Sequence, residues 1–389
     1  MRHQPSAIVF LAAAIAACGD PAGPTRDVTL SFCSGTVWAG VQNEGQDWVT
    51  IADGPTDATV DATERLVVAT ITSGSREQLA FYYLTRAQAQ ETFVCSPTAG
   101  TKQLSGSVAG TSGGYTQIAM GKTIEFTFTT VSTFPTGFAL SDLPDGPLDL
   151  VAVHEGEGTA IVRRRVNYPH GGTIPVLDFS SAEAFALQSH TLTVETTGLG
   201  AAHWQTWIMT NGGTSGLLTV GCCTGGTIYS LPASHQESAD LYHLVVTRSV
   251  GGDARLVERF YDTPSDQTVV FGPPASRATI TTVVGPGQLW RAEVPSQAEY
   301  ASQIEIVIRA PQPPSLNTNA TTIAVRASKE YFGGTPATWA FTVPDLSSVA
   351  GFPGGWPIVS ETWGVQVTAS DAPWRRARAG DEYRSATTF

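Results

Sequence analysis

Short runs of alternating apolar and polar residues recur along this chain, and long helical patterns are scarce. Val28-Thr29-Leu30-Ser31-Phe32, Thr123-Ile124-Glu125-Phe126-Thr127-Phe128 and Gln303-Ile304-Glu305-Ile306-Val307-Ile308 each put every second residue on one face. An extended strand does this, because successive side chains leave the pleat on opposite sides. The runs are rich in β-branched and aromatic residues, which pack well on a half-buried sheet. The 39 Gly and 24 Pro of the chain punctuate them with turns. Two stretches fit a helix: one or two turns from Thr85 to Glu91, capped by Thr85, and Ser180 to Leu187. The expectation is an all-β protein built of tandem sandwiches.

An internal repeat organises the middle. Leu143-Pro144 followed by Asp149-Leu150-Val151-Ala152-Val153 recurs as Leu231-Pro232 followed by Asp240-Leu241-Tyr242-His243-Leu244. Ile161 to Val166 parallels Arg255 to Phe260, and Thr173 to Phe179 parallels Thr268 to Phe271. The offset of about 90 residues is the size of one sandwich. The expected plan is a leader over 1–17, a tether over 18–26 and an N-terminal β domain over 27–97. Two copies of the repeat follow over 98–188 and 189–284, then a C-terminal β-sandwich over 285–374 and a frayed tail over 375–389.

Only 14% of residues are charged and the net charge is −12. The surface must be largely Thr, Ser, Gln and Gly, as suits an extracytoplasmic β-protein. Nucleic acid is excluded as a partner, since its phosphates would be repelled.

The first residues read as a secretory leader. Arg2 and His3 are basic, and Ala7 to Ala17 is apolar but too short to cross a bilayer as a helix. Ile15-Ala16-Ala17-Cys18 resembles the lipobox of bacterial lipoproteins. The resemblance implies that Cys18 is acylated and becomes the new N-terminus, tethered to a membrane by its lipid. An ordinary leader cut near Ala17 is the alternative. Gly19 rather than Asp follows Cys18, which by the enterobacterial sorting rule favours the outer membrane or cell surface over the inner membrane.

Acylation would leave four cysteines. Cys33 and Cys95 bracket the first β-rich region and form the natural disulfide pair, worth about 4 kcal/mol in the chain-entropy model. The adjacent Cys222 and Cys223 form either a vicinal disulfide or two free thiols. A bond from Cys33 to Cys222 or Cys223 would have to cross domains.

Leu104-Ser105-Gly106-Ser107-Val108, then Phe138 to Gly146 with its Leu143-Pro144-Asp145-Gly146 turn, then Leu148 to Ala152, resembles the carboxypeptidase regulatory-like family. That implies a seven-stranded, transthyretin-like sandwich acting as a stalk or binding module, without catalytic residues. The pattern departs after Val153, where His154-Glu155-Gly156-Glu157 replaces the aromatic-Gly close. The last unit is similar to a generic fibronectin-type or immunoglobulin-like sandwich.

Candidate chemistry is sparse. Gly110-Thr111-Ser112-Gly113-Gly114 fits G-x-S-x-G, but a nucleophile elbow needs a helix after the Ser, and strand pattern follows here. Cys222, Cys223, His235 and His243 are zinc-type ligands without the C-x₂₋₄-C spacing of zinc sites. Asp142, Asp145 and Asp149 lack a calcium-loop spacing. His154-Glu155-Gly156-Glu157 reads as a solvated hairpin, and Arg163-Arg164-Arg165 as edge protection or surface charge. Among the Trp residues, Trp204, Trp207, Trp356 and Trp363 are candidates for an aromatic binding surface, with core filling the competing role. No catalytic residue, metal or cofactor is assigned. The expected role is structural, adhesive or ligand-binding, with a membrane reached through the anchor and a glycan or envelope protein as partner. The alternatives are a hydrolase of polysaccharide or protein with its site in sandwich loops, and an accessory subunit of an envelope assembly.

Overall fold

The computed structural model describes residues 27–32, 35–73, 78–93, 102–111, 114–122, 125–131, 136–195, 201–282, 288–309, 322–353, 364–372 and 378–388. The leader with Cys18, the Cys33–Cys95 pair, and Trp356 and Trp363 lie outside the described residues. The described elements are strands, apart from one seven-residue helix and two single 3₁₀ turns.

The N-terminal quarter forms β1 (Asp27–Ser31), β2 (Thr36–Asn43), β3 (Val49–Ala52), β4 (Asp57–Asp61), β5 (Arg65–Thr72), β6 (Gln78–Thr85) and α1 (Arg86–Thr92). The helix starts where the sequence places it. Thr85 Oγ1 accepts from the Gln88 backbone N–H, and Gln88 Oε1 accepts from the Thr85 N–H at 2.9 Å. This reciprocal capping satisfies two otherwise orphaned donors.

The first copy of the repeat is β7 (Lys102–Ala109), β8 (Thr116–Lys122), β9 (Glu125–Val131), β10 (Thr136–Leu143), β11 (Leu148–His154), β12 (Thr159–Val166), β13 (Leu177–Asp178) and β14 (Phe185–Ala186). The second is β15 (Gln188–Glu195), β16 (Ala202–Met209), β17 (Ser215–Cys223), β18 (Gly225–Ser230), β19 (Leu241–Val250), β20 (Asp253–Tyr261) and β21 (Gln267–Val270). Their topologies coincide. Apart from the two-residue β14 added at the edge of β12, the first copy has β10-β7-β13 facing β12-β11-β8-β9, and the second has β18-β15-β21 facing β20-β19-β16-β17. The last strand of each copy pairs parallel to the first, β13 with β7 and β21 with β15. Leu104, Ile118, Leu140, Leu150 and Ile161 fill one core; Leu192, Trp204, Leu244, Val246 and Val257 fill the other. A third cluster, with Val151, Val153, Ile208, Leu218 and Tyr242, packs the copies against each other.

The helix expected over Ser180 to Leu187 does not form. Asp178 Oδ1 accepts from the Ser180 N–H at 2.9 Å and its carbonyl accepts from Ser181 Oγ at 2.7 Å. These local bonds hold a turn in place of a helical start, and Phe185 then pairs with Ala160 in a short strand.

The last quarter contributes β22 (Thr279–Thr282), β23 (Gln288–Pro295), β24 (Gln303–Arg309), β25 (Thr322–Ser328), β26 (Thr338–Pro344), β27 (Gly364–Ser370) and β28 (Glu382–Thr388). It is not a free-standing sandwich. One twelve-stranded sheet runs β17-β16-β19-β20-β28-β27-β24-β25-β6-β5-β2-β3. β25 joins β6 in parallel register, Thr322 to Gln78 through Ala327 to Tyr83. On one face, Trp38, Ile71 and Phe81 share a core with Trp290, Ile306, Trp339 and Phe341, under the small sheet β22-β23-β26. On the other face, β1, β4 and α1 cover Ala39, Leu66, Val68 and Leu84. The two ends of the chain therefore fold as one unit. Each of these large side chains removed from water adds about 1.5–3 kcal/mol.

The expected tail also needs correction. Glu382–Thr388 forms β28, inserted between β20 and β27. Ala386 is 1% exposed and packs with Ala275, Tyr300 and Ala369. The segment looks like a tail because its polar residues satisfy a sheet face that only the assembled neighbours create.

Candidate binding face

Between β17 and β24 one face of the long sheet packs on its sandwich partners. The other face carries polar and aromatic side chains. Alternation along β16 sorts its residues: Ala202, Trp204, Thr206 and Ile208 are buried, while His203 and Gln205 are exposed and Trp207 is half-buried. The two candidate tryptophans thus have different fates. Trp204 is 4% exposed and fills the second sandwich core. Gly221 and Gly226 make room for its ring, since a Cβ on either would lie 2.3 or 2.6 Å from Trp204 Cζ2. Trp207 faces the other way, and its Nε1 donates to Gln205 Oε1 at 3.3 Å.

Trp207 begins an aromatic row across adjacent strands. It pairs in register with His243 on β19, and His243 pairs with Phe260 on β20. The His243 and Phe260 rings stack at 4.2 Å and 9°, and Phe260 lies 5.6 Å from Tyr383 on β28. His243 Nε2 lies 3.0 Å from Glu258 Oε1. His203, Gln205, Val220, Val245 and Thr247, with Trp204 and Gly221, line a shallow groove of about 190 Å³, and Gln205 links it to Trp207. Further along the sheet, Gln303, Glu305, Arg326, Thr368 and Ser370 line another of about 280 Å³. There Arg326 Nε donates to Glu305 Oε1 at 2.7 Å and its guanidinium lies over the Tyr82 ring at 5.4 Å.

The other sequence candidates are dispersed. Cys222 and Cys223 are exposed free thiols at the end of β17, with Sγ atoms 2.7 Å apart. Cys223 has φ of 87°, and with Gly225 it turns the chain from one sheet of the sandwich into the other. His235 stacks on Phe185 at 3.7 Å, so it shares no site with His243. His154 is buried against Thr116 and Phe179, not solvated as its hairpin position implies. β7 leads to strand β8, so the G-x-S-x-G match has no helix behind it; Ser112 itself lies outside the described residues.

Arg163 and Arg164 are largely covered rather than surface charge, whereas Arg165 is exposed as expected. Arg163 donates to Glu183 Oε1 and Oε2 at 2.6 and 2.8 Å. Arg165 donates to Glu237 at 2.7 Å. Arg164 reaches across the copies: Nη2 donates to Asp240 Oδ2 at 2.6 Å and Nη1 to Asp149 Oδ2 at 3.3 Å. Both carboxylates are almost fully buried, with side-chain exposures of 1% and 2%. Burial opposes the Arg164 charge, but the two aspartates outweigh it and raise its pKa. Sequence reading missed this clamp. The signal was present in the repeat itself, where Asp149 and Asp240 hold equivalent places.

No protein-family model matches the chain, and no curated protein does. Among solved structures, a crystal structure of chicken CNTN1 FN1-FN3 domains is similar over 61% of this chain and 95% of that one, at 8% identity and a TM-score of 0.11. So distant a likeness adds nothing to function. The all-β, tandem sandwich-like architecture rests on the strand pairing described above.

Proposed function

We propose that this protein is a lipid-anchored cell-envelope protein with a non-enzymatic, adhesive role, and that the open face of its long sheet binds glycan. The observation that carries the reading is that Gln205, which lines a groove with His203 and Thr247, also accepts from the half-buried Trp207 on the same face. An aromatic face stacks on a sugar ring while flanking donors and acceptors take its hydroxyls. Ile15-Ala16-Ala17-Cys18 supports the anchor, and the short segment after Cys18 would serve as tether. The first sandwich copy is of the carboxypeptidase regulatory-like kind; in support, the Leu143-Pro144-Asp145-Gly146 turn joins β10 to β11. The rigid sheet would hold the binding face at a set distance from the membrane.

Two measurements test this. Metabolic labelling with a fatty acid should tag the native protein and not Cys18→Ala. A glycan array should give hits that Trp207→Ala loses. An array on which wild type and Trp207→Ala bind alike, or neither binds, sinks the glycan reading.

A further inference from the structure

Arg248, on β19, is buried and has no ionic or hydrogen-bond partner among the described residues. It is 2% exposed, and its Nε, Nη1 and Nη2 all lack a hydrogen-bond acceptor. A desolvated guanidinium in that state is costly. Its neighbour across the strand pair is Arg255, a second cation. Like charges placed directly opposite destabilise a sheet further. The Phe271 ring, 6.0 Å from the Arg248 guanidinium, offsets only part of this. Arg255 is partly satisfied, since its Nη1 donates to the Gly272 carbonyl at 2.9 Å. Burial and the facing Arg255 both push the Arg248 pKa down, as expected for a cation lacking a counter-charge.

The two arginines, with Val250 and Asp253, line a cavity of about 80 Å³. Asp253 is the one carboxylate in the lining, and it accepts from Thr388 Oγ1 at 2.8 Å. Among the described residues neither arginine forms a salt bridge. The cavity opens to solvent beside Val250 and has room for a small polar group against the two guanidinium forks.

We infer that Arg248 and Arg255 form a binding site for a single oxyanion group, of carboxylate or phosphate type. The Arg248 fork would take two oxygens side by side, the arrangement guanidinium favours. Arg255 would supply the second positive charge. This site is separate from the glycan face and does not depend on it.

The test uses the full chain at constant ionic strength set with sodium chloride. Inorganic phosphate and acetate are titrated separately by calorimetry. At least one should bind saturably with one site per chain, and the responding probe identifies the class. Arg248→Met should weaken that binding about tenfold or more. Arg248→Lys, which keeps the charge and loses the fork, should fall between. Without added oxyanion, Arg248→Met should melt no lower than wild type, because it removes an unpaired buried charge. Thermal protection of the wild type by phosphate or acetate relative to chloride reads the site without any variant. If neither oxyanion binds or protects beyond chloride, or Arg248→Met binds as wild type does, the inference is wrong.

Discussion

Arg164 of the first sandwich donates to Asp240, just before β19 in the second, Nη2 to Oδ2 at 2.6 Å. The same guanidinium meets Asp149, which holds the equivalent place in the first copy. Backbone donors complete both carboxylates: Arg165 and Gly212 N–H on Asp149, Asn211 and Glu237 N–H on Asp240. One cation thus bridges two buried aspartates, backbone donors stabilise the remaining negative charge, and neither sandwich can shift without losing one of the contacts.

Arg164→Ala should therefore lower stability by about 3–5 kcal/mol, since it leaves buried carboxylates uncompensated. Combining Arg164→Met with Asp149→Asn and Asp240→Asn should recover much of the loss. Urea denaturation of the two variants checks both statements.

β28 joins the second sandwich to the unit made from the chain ends. Ala386→Pro removes a ladder donor in a strand paired on both sides, and proline is not tolerated there. A loss of about 3 kcal/mol or more is expected. Hydrogen exchange should report deprotection in β20 and β27 together.

Glu382 bonds Arg259, with Nε to Oε2 at 2.8 Å, and also Arg384, with Nη2 to Oε1 at 2.8 Å. Burial raises its pKa, but the two guanidinium groups outweigh it, and the net shift is downward. A carboxylate with a depressed folded pKa stabilises fully above its unfolded value, about 4.3, and loses that contribution as pH falls through the folded pKa. Glu382→Gln should melt below wild type at pH 7, by about 1 kcal/mol or less because the pair is partly solvated. The gap should close below about pH 4. Melting curves across pH 3–8 give the comparison.

Gly221→Ala forces a methyl into Trp204, whose Cζ2 would be 2.3 Å away. Overpacking of this kind costs about 1–3 kcal/mol. Thermal denaturation should show the loss, and the tryptophan emission should shift to the red as Trp204 is displaced toward solvent.

Neighbouring residues alone specify the local layer of this protein. Period-2 runs and frequent Gly and Pro specified strands, because only neighbouring residues set that pattern. The recurrence of Leu-Pro, Asp-Leu and the later strand segments marked two copies, and those segments occupy matching strands. Thr85 and Gln88 closed a helix start three residues apart. The alternation of Trp204 and Trp207 put them on opposite faces for the same reason.

Which strands meet depends on the assembled sheets. β6 and β25 pair across more than 230 residues, and such pairings leave no mark in either segment's pattern. Ser180 to Leu187 has a helical spacing, yet the Asp178 bonds and the partner strand at Ala160 prevail over so short a stretch. Glu382–Thr388 is polar enough to read as a tail and becomes a central strand once β20 and β27 flank it. The Arg164 clamp and the unpaired Arg248 arise in the same way. A charge becomes structural or functional through what surrounds it, and burial is a property of the assembled sheets rather than of the residue.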